Sequence, residues 1–276
     1  MRLKGRRGIM RATGFFVFFL FSGVGCSSVS FFPQTFSRSP EEAAASAVLA
    51  PGSSLTIRRT VFGLSGLDEI FSKEKEERLL TMTAWSPGVS AAFEWKKDSA
   101  SETPAGVLST TALAEGERIL LPVSWPEGNQ SFSDNTLVWL SKKQYQDLVG
   151  AGSTNLSIGF FDERLASVLQ VRDTVQNVLN ALQKKAQEAS SSQDVYKLEV
   201  APGWHNYRIS VNGMPTVVRT IEAANWFGSY IILANPDNPL LLKVTLNPIS
   251  FGNVPSLSSQ DVAKSFLGYE ITEIKL

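Results

Sequence analysis

Two alternating runs joined by Asn212-Gly213 constrain the fold of this chain more than any other feature. Asn-Gly is the strongest short-range signal for a two-residue β-hairpin, because both turn positions need a positive φ. In the first run Tyr207, Ile209 and Val211 alternate with more polar residues, and the second run repeats the period of two. The segment therefore predicts two antiparallel strands with one buried face.

Alternating or apolar runs recur along most of the chain after residue 54. A second turn, from Asn235 to Asn238, joins two more of them, and Pro236 stands where proline favours a type I turn. Further strands are predicted over residues 55–62, 79–85, 91–96, 107–113, 119–125, 136–140, 155–161, 229–234, 240–246 and 269–274. Strands joined by hairpins favour an antiparallel sheet over a βαβ fold.

One long helix is predicted between the two groups of strands, over residues 163–189. Asp162 is its expected N-cap. Apolar residues from Leu165 to Ala186 recur at spacings of three, four or seven, which places them on one stripe of the helix. This pattern is typical of a helix that packs on a sheet.

Shorter helices are predicted at three further places. Ser141 and Gln144 have the spacing of a capping box, and Gly150 is the expected end of the helix that follows. Residues 41–50 and 258–266 are the other two. The predicted fold class is α+β, with a mostly antiparallel curled sheet or partial β-barrel and one long amphipathic helix.

The N-terminus has the three-part layout of a secretory signal peptide. Residues 1–25 begin with a basic segment of five Lys and Arg side chains and no acid. An apolar run over residues 15–21 follows, and then small residues over 22–25. The run is too short to span a bilayer, which needs about 20 apolar residues. We therefore expect residues 1–25 to be a signal peptide.

The end of this leader resembles the lipobox of bacterial lipoproteins. Gly25 and Cys26 fit that pattern, whereas Gly23 departs from it, because the family usually has Leu there. In the family a diacylglycerol is attached to the cysteine thiol and cleavage occurs just before it, so the resemblance implies lipid attachment at Cys26. Gly23-Val24-Gly25 also satisfies the small-x-small rule of ordinary signal peptidase, so ordinary secretion and an uncleaved anchor remain open.

The resemblance also implies a membrane partner and a location. Each buried CH₂ of an acyl chain contributes about 0.8 kcal/mol, and two chains hold a protein stably on a bilayer. Ser27 follows the cysteine. Enterobacterial lipoproteins carry an acidic residue at that position for retention in the inner membrane, so a serine indicates the outer membrane, with the protein facing the periplasm.

The sequence divides the processed chain into a tether and one domain. Residues 26–53 are rich in Ser, Ala and Pro and are expected to be a lipidated N-terminus with a flexible tether, which as a random coil would span roughly 25–30 Å. Residues 54–276 form one β-rich domain. Without the leader, 21 basic side chains face 26 acidic ones, a net charge near −5 that argues against a nucleic-acid partner.

The processed chain carries no motif of known chemistry. His205 is the only histidine and Cys26 the only cysteine, so any Ser-His-Asp or Cys-His site would have to use them. Residues 63–66 fall short of a nucleophile elbow, because Leu67 stands where glycine is needed. One histidine and one cysteine supply too few donors for a zinc site. We expect no catalytic residue, no cofactor and no metal.

The function predicted from these features is a non-enzymatic binding, scaffold or assembly module held to a membrane through Cys26. One alternative is an envelope hydrolase that uses two carboxylates, since Asp68-Glu69 and Asp162-Glu163 are adjacent acids. The other is a carrier of lipids or lipoproteins with a half-barrel and a helical lid. A groove for a sugar or a lipid would be lined by some of the six tryptophans, Trp85, Trp95, Trp125, Trp139, Trp204 and Trp226.

Overall fold

The fold is mostly β. The computed structural model describes residues 38–60, 77–97, 103–121, 128–158, 188, 194–247 and 268–276. Residues from Arg38 to Leu276 form one compact unit. Within the described ranges the helices are short: α1 (Pro40–Ala45), α2 (Thr110–Glu115) and α3 (Lys142–Ala151).

Fifteen strands lie in the described part of the chain. The first nine are β1 (Ser54–Thr60), β2 (Glu77–Ser86), β3 (Ser90–Lys97), β4 (Ala105–Leu108), β5 (Arg118–Ile119), β6 (Gln130–Phe132), β7 (Asn135–Thr136), β8 (Ser153–Asn155) and β9 (Ser157–Ile158). The remaining six are β10 (Lys197–Val200), β11 (His205–Val211), β12 (Met214–Asn225), β13 (Gly228–Leu233), β14 (Leu241–Leu246) and β15 (Gly268–Lys275).

Twelve of these strands form one sheet, and part of it closes into a barrel. Its order is β6-β4-β3-β2-β1-β15-β14-β13-β12-β10-β8, and β11 pairs with both β12 and β15. Because β11 bridges β12 and β15, the strands β11 to β15 form a closed five-stranded barrel. Most pairs are antiparallel, as predicted, but β11 and β15 run parallel. A small sheet of β7, β5 and β9 completes the unit.

Both turns predicted from the sequence are confirmed. Asn212 and Gly213 have φ angles of 50° and 76°, and Val211 lies opposite Met214, so the hairpin has a two-residue loop. In the second turn, the backbone N–H of Asn238 donates to the carbonyl oxygen of Asn235 at 3.2 Å. These local signals therefore set the register of β11 with β12 and the return from β13 to β14.

Some of the predicted strands are wrong in part. The run over residues 107–113 is a strand only to Leu108, because Ser109 caps a helix: its Oγ accepts a hydrogen bond from the N–H of Ala112 at 3.1 Å. The strand predicted over 136–140 ends at Thr136, and the buried residues after it are apolar without being a strand. Apolar runs of this length predict burial more reliably than they predict strand.

The helices are also partly as predicted. The capping box of Ser141 and Gln144 is present at the start of α3, but the helix ends at Gly152, with φ +74°, and not at Gly150. Of the long helix predicted over 163–189, only Glu188 lies among the described residues, and the helix predicted over 258–266 lies outside them. None of the helices in the described ranges is long and apolar enough to cross a bilayer.

Residues 38–53, which the sequence predicts to be part of a flexible tether, belong to the folded unit. Helix α1 packs on β12, and Ala44 is fully buried. The side-chain amide of Asn235 donates to the carbonyl oxygens of Ala44 and Ala47 at 3.0 and 3.3 Å, and Asn238 donates to Ala47 at 2.9 Å. These bonds attach α1 to the turn between β13 and β14.

Candidate functional site

The side chains of β11 alternate between the barrel interior and solvent. Ile209 is buried and Tyr207 is half-buried, whereas Arg208 between them is exposed. The interior side of β11 is therefore the side of Tyr207 and Ile209. His205 is on the same side, directly opposite Thr220 of β12, which is fully buried. The one histidine of the chain thus lies at an end of the barrel interior.

A row of five residues, four of them charged, crosses this end of the barrel. From β12 to β1, each residue lies directly opposite the next, in the order Glu222, Ile231, Lys243, Glu270 and Arg58. All five are half-buried. Opposite charges on neighbouring strands attract, so the row is stabilising as well as accessible. We define the polar end of the barrel as Arg58, His205, Tyr207, Glu222, Lys243 and Glu270.

Glu270 is the centre of the hydrogen-bonded part of this surface. The hydroxyl of Tyr207 donates to its Oε1 at 2.6 Å, and Nη2 of Arg58 donates to its Oε2 at 3.3 Å. The last backbone pair between β11 and β15 on this side is that of Ser210 with Glu273. Tyr207 and Glu270 each lie three residues before this pair in their own strand. Their side-chain hydrogen bond therefore extends the contact between β11 and β15 beyond the last backbone pair.

The hydroxyl of Tyr207 is held in its neutral form. Burial raises the pKa of Tyr207, and the hydrogen bond to the Glu270 carboxylate raises it further. A phenol with a raised pKa donates a hydrogen bond at neutral pH and does not act as a base or nucleophile. The group of Tyr207, Glu270 and Arg58 therefore combines a neutral hydroxyl donor with an ion pair.

His205 has an incomplete set of partners. Its Nδ1 lies 3.7 Å from Oε1 of Glu222, too far for a hydrogen bond. Its Nε2 and the Oγ1 of Thr220 opposite are both buried, and neither has a hydrogen-bond partner among the described residues. Buried polar atoms are satisfied in most proteins. These two atoms therefore lie beneath the polar end of the barrel and are not part of its accessible surface.

Glu222, Glu270 and Asp147 do not form the pair of facing carboxylates that a hydrolase needs. Glu270 is bonded to Tyr207 and Arg58, and Glu222 faces His205. On α3, the pKa of Asp147 is lowered, above all by its hydrogen bond from Lys143. Asp68-Glu69 and Asp162-Glu163 lie outside the described residues. Within the described part of the chain, no group of three His, Cys, Asp or Glu side chains could hold a metal.

Three of the tryptophans belong to one aromatic cluster. Trp95 and Trp139 are almost fully buried, and Trp85 stacks on Trp139 with ring centres 5.2 Å apart. Phe93 joins them, 5.7 Å from Trp95 and 6.2 Å from Trp139. The indole N–H of Trp139 donates to Oδ1 of Asn238 at 3.0 Å. These side chains pack the core and do not line a groove.

A small pocket lies at the edge of this cluster. Its volume is about 10 Å³ for water-sized molecules, and Trp85, Leu113, Trp139, Pro236 and Pro239 are among the residues that line it. Such a volume holds about one water molecule, whereas small-molecule sites usually occupy some hundreds of Å³. This pocket therefore does not match the groove that an acyl chain would need.

The other tryptophans are placed differently. Trp204 is exposed and lies over the guanidinium of Arg219, with 5.5 Å between Cζ and the ring centre. Trp226 is half-buried against Phe227. Trp125 lies outside the described residues. Trp204 is therefore the tryptophan whose ring is open to a partner in the described part of the chain.

Sequence reasoning singled out His205 but missed its surroundings. Lys243 and Glu270 are charged residues inside apolar strands, which is a signal that their strand face is not wholly buried. Their neighbours could not be inferred, because the row depends on the pairing of strands distant in sequence.

The predicted lipid site, Cys26, lies outside the described residues. Comparison with protein-family models, curated proteins and solved structures finds no match to this chain.

Proposed function

We propose that this chain is a lipoprotein of the bacterial cell envelope, held in a membrane by a diacylglycerol on Cys26, with a non-enzymatic domain that binds a polar partner. The order of the first 26 residues carries the proposal: a basic segment, an apolar run, small residues and the only cysteine of the chain. Ser27 favours the outer membrane, with the domain facing the periplasm.

The start of the folded unit supports this proposal. Ser39 caps α1 through a complete capping box with Glu42, so a capped helix begins close after the proposed anchor. Twelve residues lead from Cys26 to Arg38. Fully extended, they would span at most about 40 Å. The anchor would keep the domain close to the bilayer.

The polar end of the barrel supports binding as the activity of the domain. Glu270 accepts hydrogen bonds from Tyr207 and Arg58, so none of the three is poised to act as a general base. The same surface presents both signs of charge in one row of half-buried side chains. Such a surface suits a polar partner that carries complementary charges.

The intact mass of the processed protein from bacterial membranes tests the anchor. We expect a chain that begins at Cys26 and carries the mass of a diacylglycerol. A chain cleaved at the same region without added mass would show ordinary secretion, and a chain that keeps residues 1–25 would show an uncleaved anchor. Either of these results would contradict the proposal.

A matched pair of variants tests the same point by cell fractionation. Cys26→Ser removes the thiol and is expected to abolish lipidation and release the domain from the membrane fraction, because one hydroxyl cannot replace the acyl chains. Ser28→Ala, two residues away, should leave both unchanged. Equal membrane retention of the Cys26→Ser and Ser28→Ala proteins would refute lipid anchoring through this cysteine.

A further inference from the structure

The outer side of the β11–β12 hairpin carries an exposed surface that is both aromatic and basic. Trp204 is 52 % exposed and Val217 is 38 % exposed. Arg208 lies directly opposite Val217, and Arg219 packs under the ring of Trp204. We call these four residues, Trp204, Arg208, Val217 and Arg219, the hairpin face. It lies on the opposite side of β11 from Tyr207 and the polar end of the barrel.

The chain from the proposed anchor enters the folded unit beside this face. Oε1 of Glu41, in the first turn of α1, lies 2.9 Å from Nη1 of Arg219. Arg38 is the first residue of the compact unit, only three positions before Glu41. Arg38 is therefore close in sequence to Glu41, which contacts the hairpin face directly through Arg219.

We propose that the hairpin face lies against the bilayer that holds the lipid of Cys26. This inference rests on the proposed lipid anchor and adds a defined orientation of the domain. Trp side chains favour the membrane interface, where an amphipathic ring sits at the level of the headgroups. Arginine side chains bind headgroup phosphates through paired N–H donors. The stacking of Trp204 on Arg219 holds the indole ring on this face, beside the exposed Arg208.

The charges around the hairpin face agree with a phosphate-bearing partner. Glu41 is paired with Arg219, so this ion pair leaves Arg208 as the charge of the hairpin face that is free to bind a phosphate. Arg208 is exposed and has no ion-pair partner among the residues that the structure describes. Its guanidinium is therefore available to a lipid headgroup.

The anchor explains how so small a surface can bind a membrane. One tryptophan and one valine bury too little apolar area to hold a protein on a bilayer from solution. When the chain is already attached through Cys26, however, docking of the face becomes an intramolecular step at a high effective concentration. Fully extended, the twelve residues from Cys26 to Arg38 would span at most about 40 Å, so Arg38 would stay within that distance of the anchored residue.

The single cysteine allows the orientation to be tested without the cell's lipidation enzymes. The chain from Cys26 to Leu276 is coupled through its one thiol to vesicles of phosphatidylcholine and phosphatidylglycerol that contain a maleimide lipid. Emission of Trp204 is obtained as the difference between this protein and Trp204→Phe. With brominated acyl chains in the vesicles, we expect loss of the Trp204 emission, because bromine quenches an indole at short range.

Two matched pairs of variants show whether the contact of the hairpin face with the bilayer is specific. Val217→Thr and Arg208→Gln should each reduce the quenching of Trp204. Val107→Thr is the control for the valine, because Val107 is 47 % exposed on β4, elsewhere in the sheet. Lys96→Gln, exposed on β3, is the control for the charge. A similar reduction in the control variants would overturn the proposed orientation.

The test separates failure of the orientation from failure of the anchor. Unquenched Trp204 on brominated vesicles would overturn the orientation and would favour a protein partner for this face, whatever the cellular lipidation state. A missing lipid in the mass measurement would overturn the anchor, even if the coupled protein docks on vesicles. Quenching that is lost when phosphatidylglycerol is omitted would support the role of Arg208 in binding anionic headgroups.

Discussion

Three tyrosine hydroxyls near the barrel differ in their hydrogen bonds. The hydroxyl of Tyr207 donates to Glu270 at 2.6 Å, and that of Tyr230 donates to Oδ1 of Asn225 at 3.1 Å. The hydroxyl of Tyr269 is buried and has no partner among the described residues. A buried hydroxyl without a partner lowers stability, because it has lost its bond to water and gained none. The three residues therefore contribute differently to the free energy of unfolding.

Removing the hydroxyls of Tyr269 and Tyr230 should have opposite consequences. Tyr269→Phe removes an unpaired polar atom and is expected to leave stability unchanged or to raise it by up to about 1 kcal/mol. Tyr230→Phe removes a made bond and should cost about 1 kcal/mol. Urea denaturation at neutral pH measures both. An equal loss of stability in the two variants would show that Tyr269 has a partner.

Stability should fall at alkaline pH because of the same side chains. Burial raises the pKa of Tyr207, Tyr230 and Tyr269 above that of an unfolded tyrosine, which is about 10. Above that pH the unfolded chain loses phenolic protons that the folded chain retains, so the free energy of unfolding decreases. Below it the contribution is constant.

Thermal unfolding measured across this alkaline range tests the sign. We expect Tyr207→Phe and Tyr230→Phe each to make the alkaline decline less steep than in the parent protein. Tyr196→Phe, which removes an exposed hydroxyl, is the matched control and should keep the parent profile. A decline that is equally steep in every variant would assign the alkaline loss to other groups.

At the scale of elements, the end of α3 depends on backbone conformation at one residue. Gly150 lies inside the helix, and Gly152 ends it with φ +74°. A Cβ added at either glycine would meet no atom within 4 Å. The two sites therefore differ in backbone conformation and not in space, so the helix stop is assigned to Gly152.

Alanine at these two glycines should separate the two effects. Gly150→Ala is expected to stabilise the protein by about 0.5–1 kcal/mol, because alanine has less backbone freedom to lose in a helix. Gly152→Ala should destabilise it by about 1–2 kcal/mol, because an L-residue is strained in the left-handed region. Chemical denaturation compares them directly. Destabilisation of similar size by both would contradict the assignment of the stop.

For the whole molecule, the last strand is central. The C-terminal strand β15 lies between β1 and β14 in the large sheet, and it also closes the barrel by pairing with β11. Ile271 and Ile274 of this strand are buried. The barrel therefore cannot close until the end of the chain is in place.

Deletion of residues 268–276 should abolish cooperative unfolding, because it removes the strand that joins the barrel to β1. Deletion of Leu276 alone is the control, since its backbone N–H makes one exposed hydrogen bond to Asn212 and its side chain is 42 % exposed. Circular dichroism during urea titration and limited proteolysis distinguish the two. A cooperative transition in the longer deletion would show that the remaining strands fold without β15.

Features encoded within a few residues were predictable from the sequence. The Asn212-Gly213 hairpin, the turn from Asn235 and the capping box of Ser141 all depend on local backbone preference. The alternation of Tyr207 and Ile209 also predicted the buried side of β11. The leader predicted over residues 1–25 rests on a local pattern of the same kind, and both the leader and the lipid on Cys26 remain our proposal.

Tertiary structure decided which residues became neighbours. The charged row from Glu222 to Arg58 joins strands that are far apart in the chain, and no local pattern specifies their pairing. The contacts of Asn235 with α1 likewise brought residues 38–53 out of the predicted tether and into the fold. Local sequence determines turns, caps and strand faces through backbone sterics, whereas long-range pairing depends on the packing of the whole chain.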